Sequence, residues 1–307
     1  MVTPGTLARS VDALNSTAKP KRVGLVHHVP FAFPSGRTLG ASFEEAFLNT
    51  NHAKMYVAIN TVAVESCVVG KSNLYRRYDL ERVNGSLKHI DPHASDPPDK
   101  TGLTAFGRFL AEDNMIGSAL WHELGLRHEL SCDVARNAVG SMTFSDYVWR
   151  RVRWIRVRKR MVFAATLVEP LTESVVLSII GCASINYLVG LPPWLFFAFH
   201  YALWLLVDFD VYASLASHPV PSETRLAFIG AWAARELMAL PIWILAILGD
   251  EVEWRGKMYR MLPNGEVDVA ERDGEPASWL SFFGWDRKRK DHYKRLNTND
   301  GRREPRL

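Results

Sequence analysis

Cysteine is scarce. The 307 residues hold three, Cys67, Cys132 and Cys182, far apart and with no CxxC pair. That argues against a disulfide scaffold and a cysteine-based zinc site, and makes reduced thiols the default, with Cys182 a packing residue in an apolar stretch. Net charge is also scarce: a balance of +4 is too small to argue for a nucleic-acid-binding protein. The N-terminus, MVTPGTLARSVDALNSTAKPKRVGLVHH, lacks an apolar core of signal-peptide length. No GxxxxGK(S/T) phosphate loop occurs, Gly70-Lys71-Ser72 being too short. No internal repeat is evident.

What is present is segregated. Residues 1–160 are mixed and polar, 161–250 strongly apolar, and 251–307 polar and basic. TPGTLARSVDAL has a Thr-Pro start and helical spacing of Leu7, Val11 and Leu14. VGLVHHVPF reads as a buried strand, and residues 41–62 as a helix with acids in its first turn. Residues 65–85 predict a short strand, a glycine turn and a helix ending near Asn84-Gly85. The Pro/Asp/His-rich 88–102 predicts a surface loop, 103–125 a helix closing on Gly125, and 126–132 a strand. Short strands alternating with helices predict an α/β layer.

The apolar part divides at Pro192-Pro193 and at HPVPSET into 161–191, 194–216 and 225–249. Roughly 20 apolar residues cross a bilayer core at about 1.5 Å rise each, so the second and third stretches are long enough to span. A buried soluble helical bundle is the alternative. Glu169 and Glu173 sit early in the first stretch, which predicts an interfacial front end and a span starting near Ser174. Trp and Tyr near segment ends fit membrane-interface belts. Charges at mid-bilayer are costly unless paired, so Arg235 is expected to pair with one of the acids of these segments, Glu169, Glu173, Asp208, Asp210 and Glu236. The same charges could line a path for an amphiphile's polar head. Basic residues at 150–160 and 286–295 both argue for the cytosolic side. Three full spans would put them on opposite sides. Two spans, a re-entrant stretch, or a tail that breaks the charge rule therefore stay open.

Three groups of residues could carry chemistry. FLAEDNM sets Glu112 and Asp113 on an otherwise apolar helix. A carboxylate near an apolar pocket gains a raised pKa and can act as a general base, although most Glu-Asp pairs are helix-surface acids. FSDYVWRRVRWIRVRKRMVF (144–163) interleaves arginine with aromatics. Arginine offers a fork of donors to phosphate oxygens and tryptophan a face to a ring or sugar. A solvated or lipid-facing basic helix is the commoner meaning of such a run. His27-His28 closes an apolar strand, where a histidine either reaches a ligand or caps the sheet.

The order VGLVHHVPF, SCVVGKSNLYRR, FLAEDNM, RRVRW, an apolar region containing EPLTE and ARE, then EWRGKMYR resembles the ceramide glucosyltransferase family over nearly the whole chain. RRVRW fits a (Q/R)xxRW signature shared with processive polysaccharide synthases such as chitin and cellulose synthases. EPLTE and the short upstream domain favour the ceramide enzymes. Residues 88–101 and the basic tail look like additions.

The resemblance implies an α/β plus membrane-helix fold. Residues 1–160 would be the C-terminal half of a GT-A-type catalytic domain ending in an interfacial basic helix. Residues 161–250 would be transmembrane or interfacial helices, and 251–307 a polar basic tail. MVTPGTLARSVDAL resembles the piece just after the family's DxD-like segment. The N-terminal anchor and the acidic motifs that hold UDP and a divalent metal (Mg or Mn) are then expected outside this chain, which would hold no metal ligands.

The resemblance also implies roles. Asp113 would be the general base that takes the proton from ceramide's primary hydroxyl, in a single inverting transfer of glucose from UDP-glucose. Arg150 and Arg153 would stabilise the departing pyrophosphate, and Trp154 would shape the acceptor or sugar site. His27 would belong to the nucleotide-sugar or inhibitor site, and Gly70 and Ser72 to a GxS element near the acceptor. Lys71 stands where the family often has an apolar residue. Arg156, Arg158, Lys159 and Arg160 read as headgroup contacts. The expected partners are ceramide, UDP-glucose and the bilayer, with no nucleic acid and homo-oligomerisation open. The expected location is the Golgi or ER membrane, with the catalytic part facing the cytosol. A non-catalytic, lipid-binding membrane fragment and a polysaccharide synthase fragment remain the alternatives. Without the metal and UDP half, this chain alone is expected to bind UDP-glucose poorly.

Overall fold

The computed structural model describes residues 1–18, 20–36, 38–88, 101–254 and 257–269. Most of the loop read at 88–102, and the basic stretch at 286–295, lie outside the described residues.

Helix α1 (Thr6–Asn15) leads into β1 (Val23–Pro34), whose first ten residues are all buried. Such a strand needs no polar alternation, because both faces are covered. Leu14 of α1 packs on Val23 and Val26. Next come α2 (Leu39–Phe47), a π turn (Leu48–His52) and α3 (Ala53–Val62), one continuous helical run as the spacing predicts. Within the wide turn Asn49 reaches Ala32 of β1, accepting from its N–H at 2.7 Å and donating to its carbonyl at 2.8 Å. The turn thereby grips the strand beyond β2, which pairs only with Leu25, Val26 and His27.

The strand predicted before Gly70 does not form. Residues 66–68 instead wedge Val68 into the cluster with Met115 and Ile116, so their apolar side chains serve a helix rather than a ladder. The strand follows the turn as β2 (Asn73–Tyr75), and α4 is only Arg77–Leu80. The chain leaves α4 early to place the N–H groups of Asn84 and Leu87 on the buried Glu123 carboxylate. The single helix read over 103–125 splits into a 3₁₀ turn (Leu103–Arg108) and α5 (Glu112–His122). Phe109, between them, pairs with Glu266 from far along the chain.

Strand β3 (Arg127–Val139) runs past the predicted 126–132, because it pairs in parallel with nearly all of β1. Strand β2 pairs antiparallel on the other side, giving the order β2-β1-β3.

Helix α6 (Phe144–Met161) opens with a capping box between Thr143 and Asp146. Its start lies hard against α2. A Cβ on Gly40 would sit 2.1 Å from the Thr143 carbonyl oxygen, so only glycine permits the approach. Beyond it lie α7 (Phe163–Val168), a 3₁₀ turn (Glu169–Thr172), α8 (Ser174–Val189), α9 (Pro193–Ala216) and α10 (Ser222–Ile247). Helices α9 and α10 are each long and apolar enough to cross a membrane, and the α7–α8 unit is bent by 62° where α8 begins. That bend coincides with the predicted change from interface to span near Ser174.

A meander of β4 (Glu251–Trp254), β5 (Lys257–Met261) and β6 (Val267–Val269) closes the described chain. Grouped with the polar tail by composition, residues 251–269 instead fold back, with Val252 and Met261 on Val157 of α6. The core likewise ignores the boundary near residue 161. Phe31, Phe43, Phe47, Tyr147 and Ile155 share one cluster with Tyr212, Trp232 and Ile242.

The buried charges inside the apolar helices are paired, as their cost demands, while Asp210 is exposed. Arg235, 1 % exposed at its side chain, meets Glu173 at 2.6 Å and Glu236 at 2.9 Å. Asp208 meets Lys54 of α3 at 2.6 Å and accepts from Trp232 Nε1 at 2.7 Å. The basic residues read as headgroup contacts have partners within the chain. Arg156 donates to the carbonyls of Leu245, Ala246 and Glu251, and Lys159 to those of Ile247 and Gly249. Lys159 and Arg160 also pair with Asp250, and Arg158 with Glu169. A helix end leaves several carbonyls without partners; here α6 supplies cations to those of α10.

Candidate active site

Of the two acids on α5, Glu112 is exposed and Asp113 is half-buried. Burial pushes the Asp113 carboxyl above its ordinary value. Backbone N–H groups of Asn114, Gly70 and Asp113 itself, and the Lys71 charge, pull it back. A first-turn carboxylate finds such free N–H donors because a helix N-terminus has no carbonyls to bind them. Gly70 lets the preceding loop close on the acid: a Cβ there would lie 2.7 Å from Asp113 Oδ2.

Lys71 joins Asp113 to the basic helix. Its ammonium is held below its ordinary value by partial desolvation and by Arg150, while Glu44 and Asp113 pull it up. Arg150 donates from Nε to Glu44 Oε1 at 2.8 Å, and its guanidinium lies 5.0 Å from the Trp154 ring centre. Glu44 is 1 % exposed. Arg153, three residues on, shares that side of α6 by helical spacing and is half-buried.

His27 lies deeper and is fully buried. The Tyr56 hydroxyl accepts from the Val69 N–H at 3.3 Å and bonds to His27 Nδ1. The tautomer of the neutral imidazole sets which of Tyr56 and Nδ1 donates in that bond. Nε2 has no partner among the described residues. Burial pushes the His27 pKa down to about 3 and raises that of Tyr56, so both are neutral. The His52 ring stacks 5.7 Å from Tyr56 and sits 6.0 Å from Trp154. Burial, with Arg151, Arg158 and Lys71, lowers its pKa to about 3. A chain of rings thus runs from β1 through α3 to α6.

The structure brings Asp113, Gly70, Arg150 and Trp154 into one neighbourhood and ties His27 to it through Tyr56 and His52. Ser72 is placed differently. Its carbonyl lies 3.1 Å from His28 Nδ1, whose Nε2 meets Ser10 of α1 at 3.1 Å. His28 therefore braces the α1 side of the sheet. Sequence reading missed Glu44, His52 and Tyr56, and gave Lys71 no role. The spacing of His52 and Tyr56 by four residues was a legible signal. The π turn, by adding a residue to the helix turn, hid the relation of Glu44 to them. Among the described residues no group of three or more His, Cys, Asp or Glu is disposed to hold a metal ion. The residues present do not fit a divalent metal by themselves.

Comparisons with known proteins name the family of the chain. The family model for glycosyl transferase family 21 matches residues 1–96 and 98–267. The chain is 35% identical over 319 residues to a ceramide glucosyltransferase of Komagataella phaffii, covering 85% of this chain and 62% of that protein. It is 37% identical over 309 residues to a ceramide glucosyltransferase of Candida albicans, covering 85% and 56%. Ceramide glucosyltransferase 1 of Caenorhabditis elegans is 26% identical over 272 residues, covering 89% and 54%. The chain therefore spans little more than half the length of these relatives. With the family match extending from the first residue to the start of β6, the chain belongs to glycosyl transferase family 21.

Proposed function

We propose that this chain carries the acceptor and leaving-group side of a membrane-bound ceramide glucosyltransferase with a GT-A-type domain. It would act at the cytosolic face of the Golgi or ER membrane. Asp113 removes the proton of the ceramide primary hydroxyl. The oxygen forms a bond to the anomeric carbon of UDP-glucose, the bond to UDP breaks, and the pair leaves with the pyrophosphate, inverting the sugar. Arg150 and Arg153 meet the growing negative charge. Fixed charge of this kind contributes several kcal/mol because no dipole has to turn during the step. Trp154 walls the site. A divalent metal has no ligand set among the described residues, and no step is assigned to one.

The observation that carries this reading is the placement of Asp113. A desolvated carboxylate faces Gly70 and Lys71, beside the arginine helix that runs straight into the membrane helices. A base so placed can serve a hydroxyl whose alkyl chains stay in lipid.

The test measures glucosylceramide formation from UDP-glucose and ceramide in nanodiscs. It uses the chain alone and the chain completed with the segments of the Komagataella phaffii relative outside the match. The completed chain is expected to make glucosylceramide, and Asp113→Asn to lower turnover by about a thousandfold or more with ceramide binding retained. The rate should fall with acid through a pKa above 3.8, since burial raises Asp113 and the base must be ionised. Undiminished turnover by Asp113→Asn would remove the base assignment. A different product would remove the reading.

A further inference from the structure

A cleft opens where the polar half meets the apolar helices. Phe47, Ile155, Ile242 and Trp243 give it apolar walls; Arg151, Glu169, Glu173 and Arg235 line its floor. The space between these walls is about 410 Å³ with the open solvent at its mouth included.

Three of the four charged side chains are matched. Glu169 pairs with Arg158, and Arg235 bridges Glu173 and Glu236. Arg151 is not. It is 5 % exposed, packs 3.5 Å from the Phe47 ring centre and 4.8 Å from that of Trp154, and forms no ion pair among the described residues. Its Nη1 has no hydrogen-bond partner there. A buried donor left unmade is expensive, more so on a charged group, and such a group in a cleft marks a ligand position.

We propose that this cleft is the subsite for the polar head of a neutral N-acyl sphingoid lipid, with Arg151 Nη1 donating to its amide carbonyl oxygen. The inference rests on the acceptor reading above and deepens it. The mixed charge of the floor selects the ligand class. Carboxylates of Glu169 and Glu173 accept from the hydroxyl or amide N–H of a neutral head but repel a phosphate, so an anionic phospholipid is disfavoured. Two of the apolar walls, Ile242 and Trp243, belong to α10, along which alkyl chains can remain in lipid. Trp154 links the cleft to the reaction centre, since the guanidiniums of both Arg150 and Arg151 lie against its ring. Arg151 here binds and positions the acceptor; it takes no part in the bond exchange.

The test needs no glucosyl transfer. The full chain in nanodiscs is titrated with a fluorescent short-chain ceramide and separately with a fluorescent phosphatidylserine. Arg151→Met is expected to weaken ceramide binding at least tenfold, with Arg151→Lys recovering part of it. Ala239→Phe, which fills the cleft from α10 and leaves Arg151 in place, should weaken it as much. Because the two variants act from different helices, misfolding of one leaves the other to decide. Unchanged ceramide affinity in either folded variant overturns the proposal. So does an Arg151 dependence seen only with phosphatidylserine. Arg151-dependent ceramide binding in a completed chain that transfers no glucose would sink the functional reading and keep the subsite. Transfer with an unchanged KM for ceramide in Arg151→Met would do the reverse.

Discussion

Replacing Arg235 by Met tests how the apolar helices are held together. The guanidinium is almost wholly enclosed and bridges Glu173, at the start of α8, to Glu236 of its own helix, at 2.6 and 2.9 Å. Asn51 gives Glu173 one further donor at 2.9 Å. Met fills much of the same volume, so the loss is mainly electrostatic. Removing one partner of a buried pair costs about 3–5 kcal/mol, because the remaining charge keeps its desolvation penalty without its attraction. Two carboxylates are stranded here, which puts the expected loss at the upper end. At roughly 2–4 °C per kcal/mol, the thermal midpoint should fall by about 10 °C or more. Removing all the charges at once should behave differently: Arg235→Met with Glu173→Gln and Glu236→Gln is expected to recover most of the loss, since a neutral set carries no stranded ion. Thermal unfolding in nanodiscs of the parent, the single and the triple variant decides it. A single variant within about 1 kcal/mol of the parent, or a triple variant no better than the single, would refute the argument.

Three further outcomes are expected. On the proposed function, Gly70→Ala in the extended chain should lower glucosylceramide formation about a hundredfold while ceramide still binds, because the new methyl displaces the Asp113 carboxylate it would meet at 2.7 Å and small misplacements of reacting groups are costly. Stability should fall as pH drops below 6.5. His27, His52 and His128 are held neutral in the fold, with pKa values pushed by burial to about 3, about 3 and about 4, so the unfolded chain binds protons that the folded one does not. The combined slope approaches about 4 kcal/mol per pH unit; equal midpoints at pH 7.5 and 5 would contradict it. Arg156→Met with Lys159→Met should cost about 3 kcal/mol in thermal unfolding, by uncovering the carbonyls at the end of α10.

Much of this was legible in the sequence because it depends on local pattern. The strand VGLVHHVPF, the helical run through 41–62 and the apolar helices are set by spacing and by proline breaks. The motifs carrying Asp113 and Arg150 were found by their order. What escaped depends on contacts between distant segments. The break at Phe109 answers to Glu266, and the early stop of α4 to Glu123. The basic run at 156–160 reads as headgroup contacts, and its bonds to the end of α10 escaped, because a cation looks the same in sequence whether it meets a headgroup or a carbonyl of another helix. Arg151 and Arg150 are adjacent letters, yet one serves Glu44 and the other an open cleft.

The parallel pairing of β1 with β3 also fixes an order in time. Val23 meets Arg127 and Pro34 meets Val139, so about a hundred residues separate each pair, which is roughly 5–20 s of synthesis. Through that interval the most buried strand of the protein has only its earlier neighbours for cover. The helix α1 is made before it, the Asn49 grip on Ala32 closes within seventeen residues of chain, and β2 arrives next. These local contacts occupy one edge and one face of β1 while the other edge waits. The nascent chain is therefore most open to mispairing between the emergence of β2 and that of β3, and a chaperone that binds extended apolar segments would find its substrate in that window.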